Sequence, residues 1–173
     1  LTAKILTKEV SPSVDPLGVD AKLVVAVGPI AGTRAPSCGR FSLGAKSPLT
    51  HGIKEANVGG PAGQKLDRLG IRAIIVEGAA VEGKYHLLKI DKDGITLQAA
   101  DAYVGMKNYD LAKQLFQDFS KDAAIISIGI GGERRWKSSA ITMTDKDGDS
   151  ARHAARGGLG AVMGAKGLKA IVV

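Results

Sequence analysis

Gly157-Gly158, an apolar interval, and then Gly167-Leu168-Lys169-Ala170-Ile171-Val172-Val173 close the sequence. The same order stands earlier as Gly59-Gly60, an interval, and Gly70-Ile71-Arg72-Ala73-Ile74-Ile75-Val76. A further match precedes each: Leu23-Val24-Val25-Ala26-Val27-Gly28-Pro29 resembles Ala124-Ile125-Ile126-Ser127-Ile128-Gly129-Ile130. Three matches in one order, each about 100 residues apart, read as an internal repeat. The copies cover residues 22–77 and 123–173. Each reads as strand, glycine turn, second strand, polar loop, Gly-Gly, short helix, strand. The expected fold class is therefore α+β, with residues 1–173 forming a single pseudo-two-fold domain of two related β-sheet units with short helices.

Working outward, residues 22–27 (KLVVAV) form a continuous apolar run ended by Gly28-Pro29, which predicts a buried strand. Residues 41–46 predict a second strand and residues 71–76 another two-sided one. Asn57-Val58-Gly59-Gly60 reads as a turn. Residues 64–69 predict a short helix with Gly70 past its end. Residues 84–90 and 94–99 flank Asp91-Lys92-Asp93-Gly94 as a hairpin. Leu111, Leu115 and Phe119 recur at helical spacing and predict an amphipathic helix over 110–119. Residues 123–128, 137–143 and 168–173 complete the expected strands, and residues 1–21 read as a helix end and a proline-punctuated loop.

The apolar fraction of 45% suits a folded chain, but 23 glycines exceed ordinary usage and are clustered. Glycine is needed where φ is positive or where backbone must approach a ligand closely, so the clusters predict ligand-holding loops. Excess base, 24 basic against 17 acidic residues for a net charge of +7, points to an anionic partner. An aromatic fraction of 4% weighs against single-strand nucleic-acid binding, which uses stacking platforms. No run of about 18 apolar residues is present, so no membrane partner is expected. A single cysteine, Cys38, excludes an internal disulfide and fits a reducing, cytoplasmic setting. The chain opens at Leu1 without Met, as an excised or processed segment would.

Each Gly-Gly pair stands directly before a helix, where free N–H groups favour phosphate. Two such loops predict a ligand with two phosphate-bearing halves, or two copies of one ligand. The richer loop runs from Ala151 to Gly160 and joins Arg152, His153, Arg156 and three glycines. Arginine gives bidentate contacts to anions, whereas arginines alone also suit a solvated face. Arg40, after the tight turn at Gly39, can project a cation into a site or form a surface salt bridge. Cys38 reads as a bystander thiol. Glu133-Arg134-Arg135-Trp136-Lys137 reads as a solvated edge strand with gatekeeping charges, or as a nucleic-acid contact. No Walker A sequence, metal-spaced cysteine pair, His-Glu-x-x-His or defensible Ser/His/Asp order is present, so no catalytic residue is assigned. The glycine loops are a binding apparatus without a visible catalyst.

Four stretches resemble the first domain of the aldehyde:ferredoxin oxidoreductase family. They are Gly28-Pro29 to Thr33; Gly39-Arg40-Phe41 to Ser47-Pro48-Leu49-Thr50; Ala56-Asn57-Val58-Gly59-Gly60; and Arg156-Gly157-Gly158-Leu159-Gly160-Ala161-Val162-Met163-Gly164-Ala165-Lys166-Gly167-Leu168-Lys169-Ala170. The last is the most specific, and the match runs in order over nearly the whole chain. The resemblance implies a domain that seats a tungsten or molybdenum bis-pterin across a pseudo-two-fold axis. It implies that Arg40, Asn57, Gly59, Arg152, His153 and Ala155 line the cofactor. The backbone carbonyls of Asn57 and His153 would reach a magnesium ion shared by the pterin phosphates, and Arg40 would lie between a pterin and a 4Fe-4S cluster. The implied activity is oxidation of aldehydes, or reduction of carboxylic acids, with ferredoxin as electron partner. The cluster and the substrate pocket would come from remaining domains or subunits. Family members carry about 35 further residues before the position of Leu1, with a glycine-rich turn near the cofactor. The chain departs from the family pattern at His51, Pro61-Ala62, Ile130-Gly131, Arg134, His153 and Ala155. Two other readings are a cofactor-free module that packs on a partner and, more distantly, a basic nucleic-acid-binding domain. Two-sided apolar strands without their full cover also predict marginal stability and self-association of the isolated domain.

Overall fold

All five residues of β1 (Leu23–Val27) are buried. The strand carries apolar side chains on both faces, so it must lie inside a sheet and be covered twice. The computed structural model, which describes residues 1–173, meets both demands. β1 pairs antiparallel with β2 (Arg40–Lys46) on one side and β4 (Ala73–Val76) on the other. β3 (Ile53–Gly59) pairs antiparallel with β2, giving a four-stranded sheet of order β3-β2-β1-β4. Helix α1 (Thr2–Glu9) lies over this sheet: Leu6 and Val10 pack with Val24 and Ala26, while the alternate β1 side chains enter the main core.

The second sheet contains the same arrangement. β7 (Ile125–Ser127) sits between β8 (Ile141–Met143) and β10 (Leu168–Val172), antiparallel to both, and β9 (Arg152–Ala154) pairs antiparallel with β8. The order β9-β8-β7-β10 matches β3-β2-β1-β4 strand for strand. Helix α2 (Pro61–Arg68) separates β3 from β4 as α5 (Leu159–Ala165) separates β9 from β10. A hairpin of β5 (His86–Asp91) and β6 (Gly94–Ala99) extends the second sheet, with β5 parallel to β10. Helix α3 (Asn108–Asp118) lies against β7 through Leu111, Ala112 and Leu115, and α4 (Ile130–Glu133) follows β7. The fold class is thus the pseudo-two-fold α+β arrangement expected. One core of 32 buried residues draws on both sheets. No helix is long and apolar enough to cross a membrane.

Several boundaries differ from the sequence expectation. Asn57-Val58-Gly59 is not a turn but the end of β3. Its Ala56 and Val58 alternate inward between exposed Glu55 and Asn57, and the seven-residue ladder with β2 overrides the poor strand propensity of these polar residues. β9 likewise lies in what reads as a loop. The strand expected over 137–143 shrinks to Ile141–Met143. Residues 133–137 end α4 and turn, with Arg135 at φ 55°, rather than forming an edge strand. The strand at 71–76 is shorter and sits at a sheet edge, half exposed rather than buried, because no strand pairs beyond it. At the far edge of the other sheet, β6 leaves Ile95 and Leu97 each 63% exposed.

One charged residue lies in the deepest strand. Lys169 in β10 is fully buried and donates to Glu133 and to the carbonyls of Ile128 (2.9 Å) and Met106 (3.3 Å). Both Glu133 carboxylate oxygens accept from the Gly105 N–H, each at 3.0 Å. Burial pushes the Lys169 ammonium below its usual value, and the hydrogen bond and charge of Glu133 oppose that shift. The pair ties the end of α4 and the loop at Gly105 to the central strand. Glu133→Ala strands a buried ammonium and is expected to lower stability by about 3–5 kcal/mol, whereas adding Lys169→Met should recover most of the loss. Chemical or thermal unfolding of the single and double variants measures both.

Candidate functional site

The glycine turn before β2 begins the site. The Gly28 N–H donates to the Arg40 carbonyl at 3.2 Å, and a side chain on Gly28 would strike that oxygen. Gly39 abuts the Gly60 carbonyl, so the start of β2 lies directly against the Gly59-Gly60 link between β3 and α2. Ser37, just upstream, takes the left-handed φ of 56°, a conformation uncommon for a non-glycine residue. These segments form one wall of a cleft of about 530 Å³. The other wall belongs to the second unit: Arg152 from β9, with Asp145 and Lys146 from the loop after β8.

No apolar side chain other than the Pro61 ring lines this cleft. Arg40 and Arg152 are both exposed, and neither lies within ion-pair distance of a carboxylate. The salt-bridge reading of Arg40 therefore does not hold in this fold. Asp145 is occupied by its own turn, accepting from the N–H groups of Asp147 (2.9 Å) and Asp149 (3.1 Å). Two free guanidiniums, one from each unit, thus face a cleft with a net cationic lining, which suits an anion. Gly59 adds backbone access: a Cβ placed there would meet nothing within 4 Å, so the bare main chain fronts open space.

The structure brings Arg40, Gly59 and Arg152 to one cleft. Asn57 and His153 lie elsewhere on the same two strands, and the pairing registers relate them. Asn57 of β3 stands opposite Ser42 of β2, which stands opposite Ala26 of β1. His153 of β9 stands opposite Thr142 of β8, which stands opposite Ser127 of β7. The two residues occupy equivalent places in the two sheets. β3 and β9 are both sheet edges and pack against each other, so each keeps a row of main-chain groups outside its ladder. Ala155 follows β9 as an exposed small residue. No group of three or more His, Cys, Asp or Glu side chains is placed to hold a metal, so an ion here would rely on backbone carbonyls and on its own ligand's oxygens.

Ser37, Gln64, Asp145 and Lys146 also line the cleft, and sequence reasoning missed them. Only the Asp145-Lys146-Asp147-Gly148-Asp149 run carries a signal that could have found two of them, since alternating Asp with Gly is turn chemistry that would set Asp145 and Lys146 in a loop. Cys38 is buried, with its Sγ 3.5 Å from both the Thr33 carbonyl and the Gln64 amide nitrogen, in keeping with a bystander thiol. Trp136 has the Arg134 guanidinium 5.7 Å from its ring centroid, so one face of the single tryptophan is already engaged.

The aldehyde ferredoxin oxidoreductase N-terminal domain model matches residues 1–173. The chain is 41% identical over 174 residues to a tungsten-containing aldehyde ferredoxin oxidoreductase of Pyrococcus furiosus, covering 100% of this chain and 28% of that protein. The protein of the same description from Thermococcus kodakarensis is 38% identical, with the same coverage. An aliphatic sulfonate oxidoreductase, WOR-like subunit, of Pyrococcus furiosus is 34% identical over 97% of this chain and 28% of its own length. Among solved structures, the active-site complex BamBC of benzoyl coenzyme A reductase with 1,5-dienoyl-CoA aligns with a TM-score of 0.91 at 32% identity, over 99% of this chain and 25% of that one. The chain therefore spans about a quarter of the length of the proteins it matches.

Two glycines, Gly59 in the cleft and Gly158 at the start of α5, make opposite demands. Gly158 has φ 72°, and a Cβ would fall 2.0 Å from the Lys137 carbonyl oxygen; Gly59 has neither constraint. Gly158→Ala is expected to lower stability by more than about 1 kcal/mol, whereas Gly59→Ala should leave it unchanged or raise it by a few tenths. Comparing their unfolding midpoints with that of the unsubstituted protein tests the difference.

Proposed function

The chain belongs to the aldehyde ferredoxin oxidoreductase family, as its N-terminal domain, and on that premise we propose that it seats a bis-pterin cofactor of tungsten, or of molybdenum, between its two units. The observation that carries this reading is the pairing of Arg40 and Arg152. Two unpartnered guanidiniums, contributed by different halves of the repeat, flank glycine backbone in one polar cleft. A pterin with a phosphate tail asks for that combination: cations for the phosphate and bare main chain for a flat ring.

In this reading Arg40 and Arg152 hold anionic groups, and Gly59 lets the ligand lie close to β3. Ala155 leaves room beside β9. The carbonyls of Asn57 and His153, at equivalent places on the two touching edges, would hold a magnesium ion, which would supply positive charge to offset the negative charge of the phosphates. The chemistry supplied by the bound cofactor is two-electron oxidation of an aldehyde to an acid, or the reverse, with electrons leaving through a 4Fe-4S cluster to ferredoxin. A four-iron cluster ordinarily needs four thiolates, and this chain offers Cys38 alone, so cluster and substrate pocket fall to other domains or subunits. Residues 1–173 by themselves should therefore hold no stoichiometric iron or acid-labile sulfide. A full cluster on the isolated chain would overturn this division of labour.

The test uses the full-length protein. Tungsten, molybdenum and pterin content should be stoichiometric, and Arg40→Ala should weaken cofactor retention about ten- to a hundredfold, as loss of a charge-assisted hydrogen bond would. Arg40→Lys should recover only part, because an ammonium keeps the charge but not the planar fork. A purified protein free of metal and pterin would favour the cofactor-free module instead.

A further inference from the structure

The polar rows behind Asn57 and His153 have a use that the cleft does not account for. In the first unit Ser42 Oγ lies 2.8 Å from Thr2 Oγ1 and 2.8 Å from Glu55 Oε1. A carboxylate only accepts, so the single Ser42 proton goes to Glu55, and the Thr2 hydroxyl donates to Ser42. Glu55 Oε1 also accepts from the Asn57 amide at 3.0 Å. A chain of hydrogen bonds therefore runs from the first residue of α1, through β2, to Asn57 on the edge.

The second unit repeats it with different residues. Asn108, the first residue of α3, donates through Nδ2 to Thr142 Oγ1 at 2.7 Å, and Thr142 Oγ1 lies 3.4 Å from His153 Nδ1. Thr2 and Asn108 open the helices that precede β1 and β7, so the repeat extends upstream of residues 22–77 and 123–173 to include α1 and α3. Thr2, Thr142 and Ser127 are each at most 2% exposed. Ser127 Oγ and Asn108 Oδ1 have no partner in this layer. A sheet face retained only for packing would be apolar, since each unmet buried polar atom costs about 1–3 kcal/mol. The same polar route at the same place in two diverged halves argues that its endpoint, the geometry of the third-strand edge, is what it serves.

We propose that Thr2 with Ser42, and Asn108 with Thr142, are matched positioning residues that fix the edges of β3 and β9, and so set the spacing of Asn57 and His153 for the ligand bound between them. This rests on the bis-pterin reading for the identity of the ligand, but not for the mechanical claim. Each pair acts on its own edge: α1 steadies β3, and α3 steadies β9. Thr142→Val removes the hydroxyl while keeping the shape, and Thr142→Ser restores it.

Hydrogen–deuterium exchange on the full-length protein, with unfolding midpoints and metal and pterin content measured on the same samples, tests the proposal. Thr142→Val and Asn108→Ala should speed exchange at residues 152–155 about tenfold and leave residues 54–59 unchanged. Ser42→Ala should do the reverse, and Thr142→Ser should match the unsubstituted protein. Cofactor retention should fall in the variants whose edge loosens, out of proportion to any change in midpoint. Unchanged exchange at both edges, or equal acceleration at both with a lowered midpoint, would overturn the positioning role. If even the unsubstituted protein lacks cofactor while the edge-specific exchange pattern appears, positioning stands and the bis-pterin reading fails. Should Asn108→Ala not fold, the Thr142 pair of variants decides the matter alone.

Discussion

Helix α5 can exist only where backbone is allowed to touch backbone. All seven of its residues, Leu159–Ala165, are buried, so it has no solvent face and must be packed on every side. It meets α4 and strands β1, β2, β8 and β10, drawn from both sheets. The close approaches are glycine contacts. A Cβ on Gly164 would fall 2.0 Å from the Gly132 carbonyl oxygen, and one on Gly160 would fall 2.4 Å from that of Ala140. No side chain can be inserted at either place without moving the main chain. The geometry of the site inherits this constraint, because the Gly157-Gly158 link fixed to the start of α5 also ends the loop that follows β9.

Around that centre, buried lysines act as ties. Lys169 joins β10 to α4 through Glu133. Lys166, at the end of α5, donates to the carbonyls of Gly18 and Val19, each at 3.0 Å, and Lys46 donates to those of Pro12 and Val14. The proline-punctuated segment after α1 is thereby fastened to both units by cations satisfied by backbone carbonyls. Desolvation holds the Lys166 ammonium below its ordinary value, with Asp20 and Glu77 opposing the shift. Such ties are costly as stability devices, since an apolar residue would desolvate more cheaply. They specify where a loop lies, which apolar contact does less well.

How far the sequence discloses this depends on which force shapes each element. Leu23–Val27 was legible because burial on two faces demands an unbroken apolar run, and Leu168–Val172 because Lys169 alone interrupts one. The hairpin of β5 and β6 was legible because Asp91-Lys92-Asp93-Gly94 is turn chemistry. β3 and β9 were not, because their strand character comes from a ladder with a neighbour rather than from their own residues. Lys54, Glu55 and Asn57 hide the alternation of Ala56 and Val58, and Arg152-His153 leaves only Ala154 facing inward. Lys169 was opaque for another reason: nothing in Leu168-Lys169-Ala170 tells a buried, paired lysine from one on the surface. Of the candidate site residues, Arg40, Gly59 and Arg152 share the cleft. The equivalence of Asn57 and His153 becomes visible only once the strand registers are known, because small insertions blur it in the linear repeat.

The two halves share a topology but not a composition, and the differences fall at the cleft and at the two touching edges. The edge of the first unit offers an uncharged amide, Asn57, held by a carboxylate; the second offers an imidazole, His153, beside a hydroxyl. Arg40 has no arginine counterpart at the start of β8, where Ala140 precedes Ile141. The second unit instead supplies its cation from β9, as Arg152. The cleft is therefore cationic from both sides although neither half carries the full set. A ligand of two chemically similar halves would be content with a symmetric cradle. This cradle is not symmetric: each half places its guanidinium on a different strand, Arg40 on β2 and Arg152 on β9, so the two ends of an elongated anion lying in the cleft would meet different surroundings.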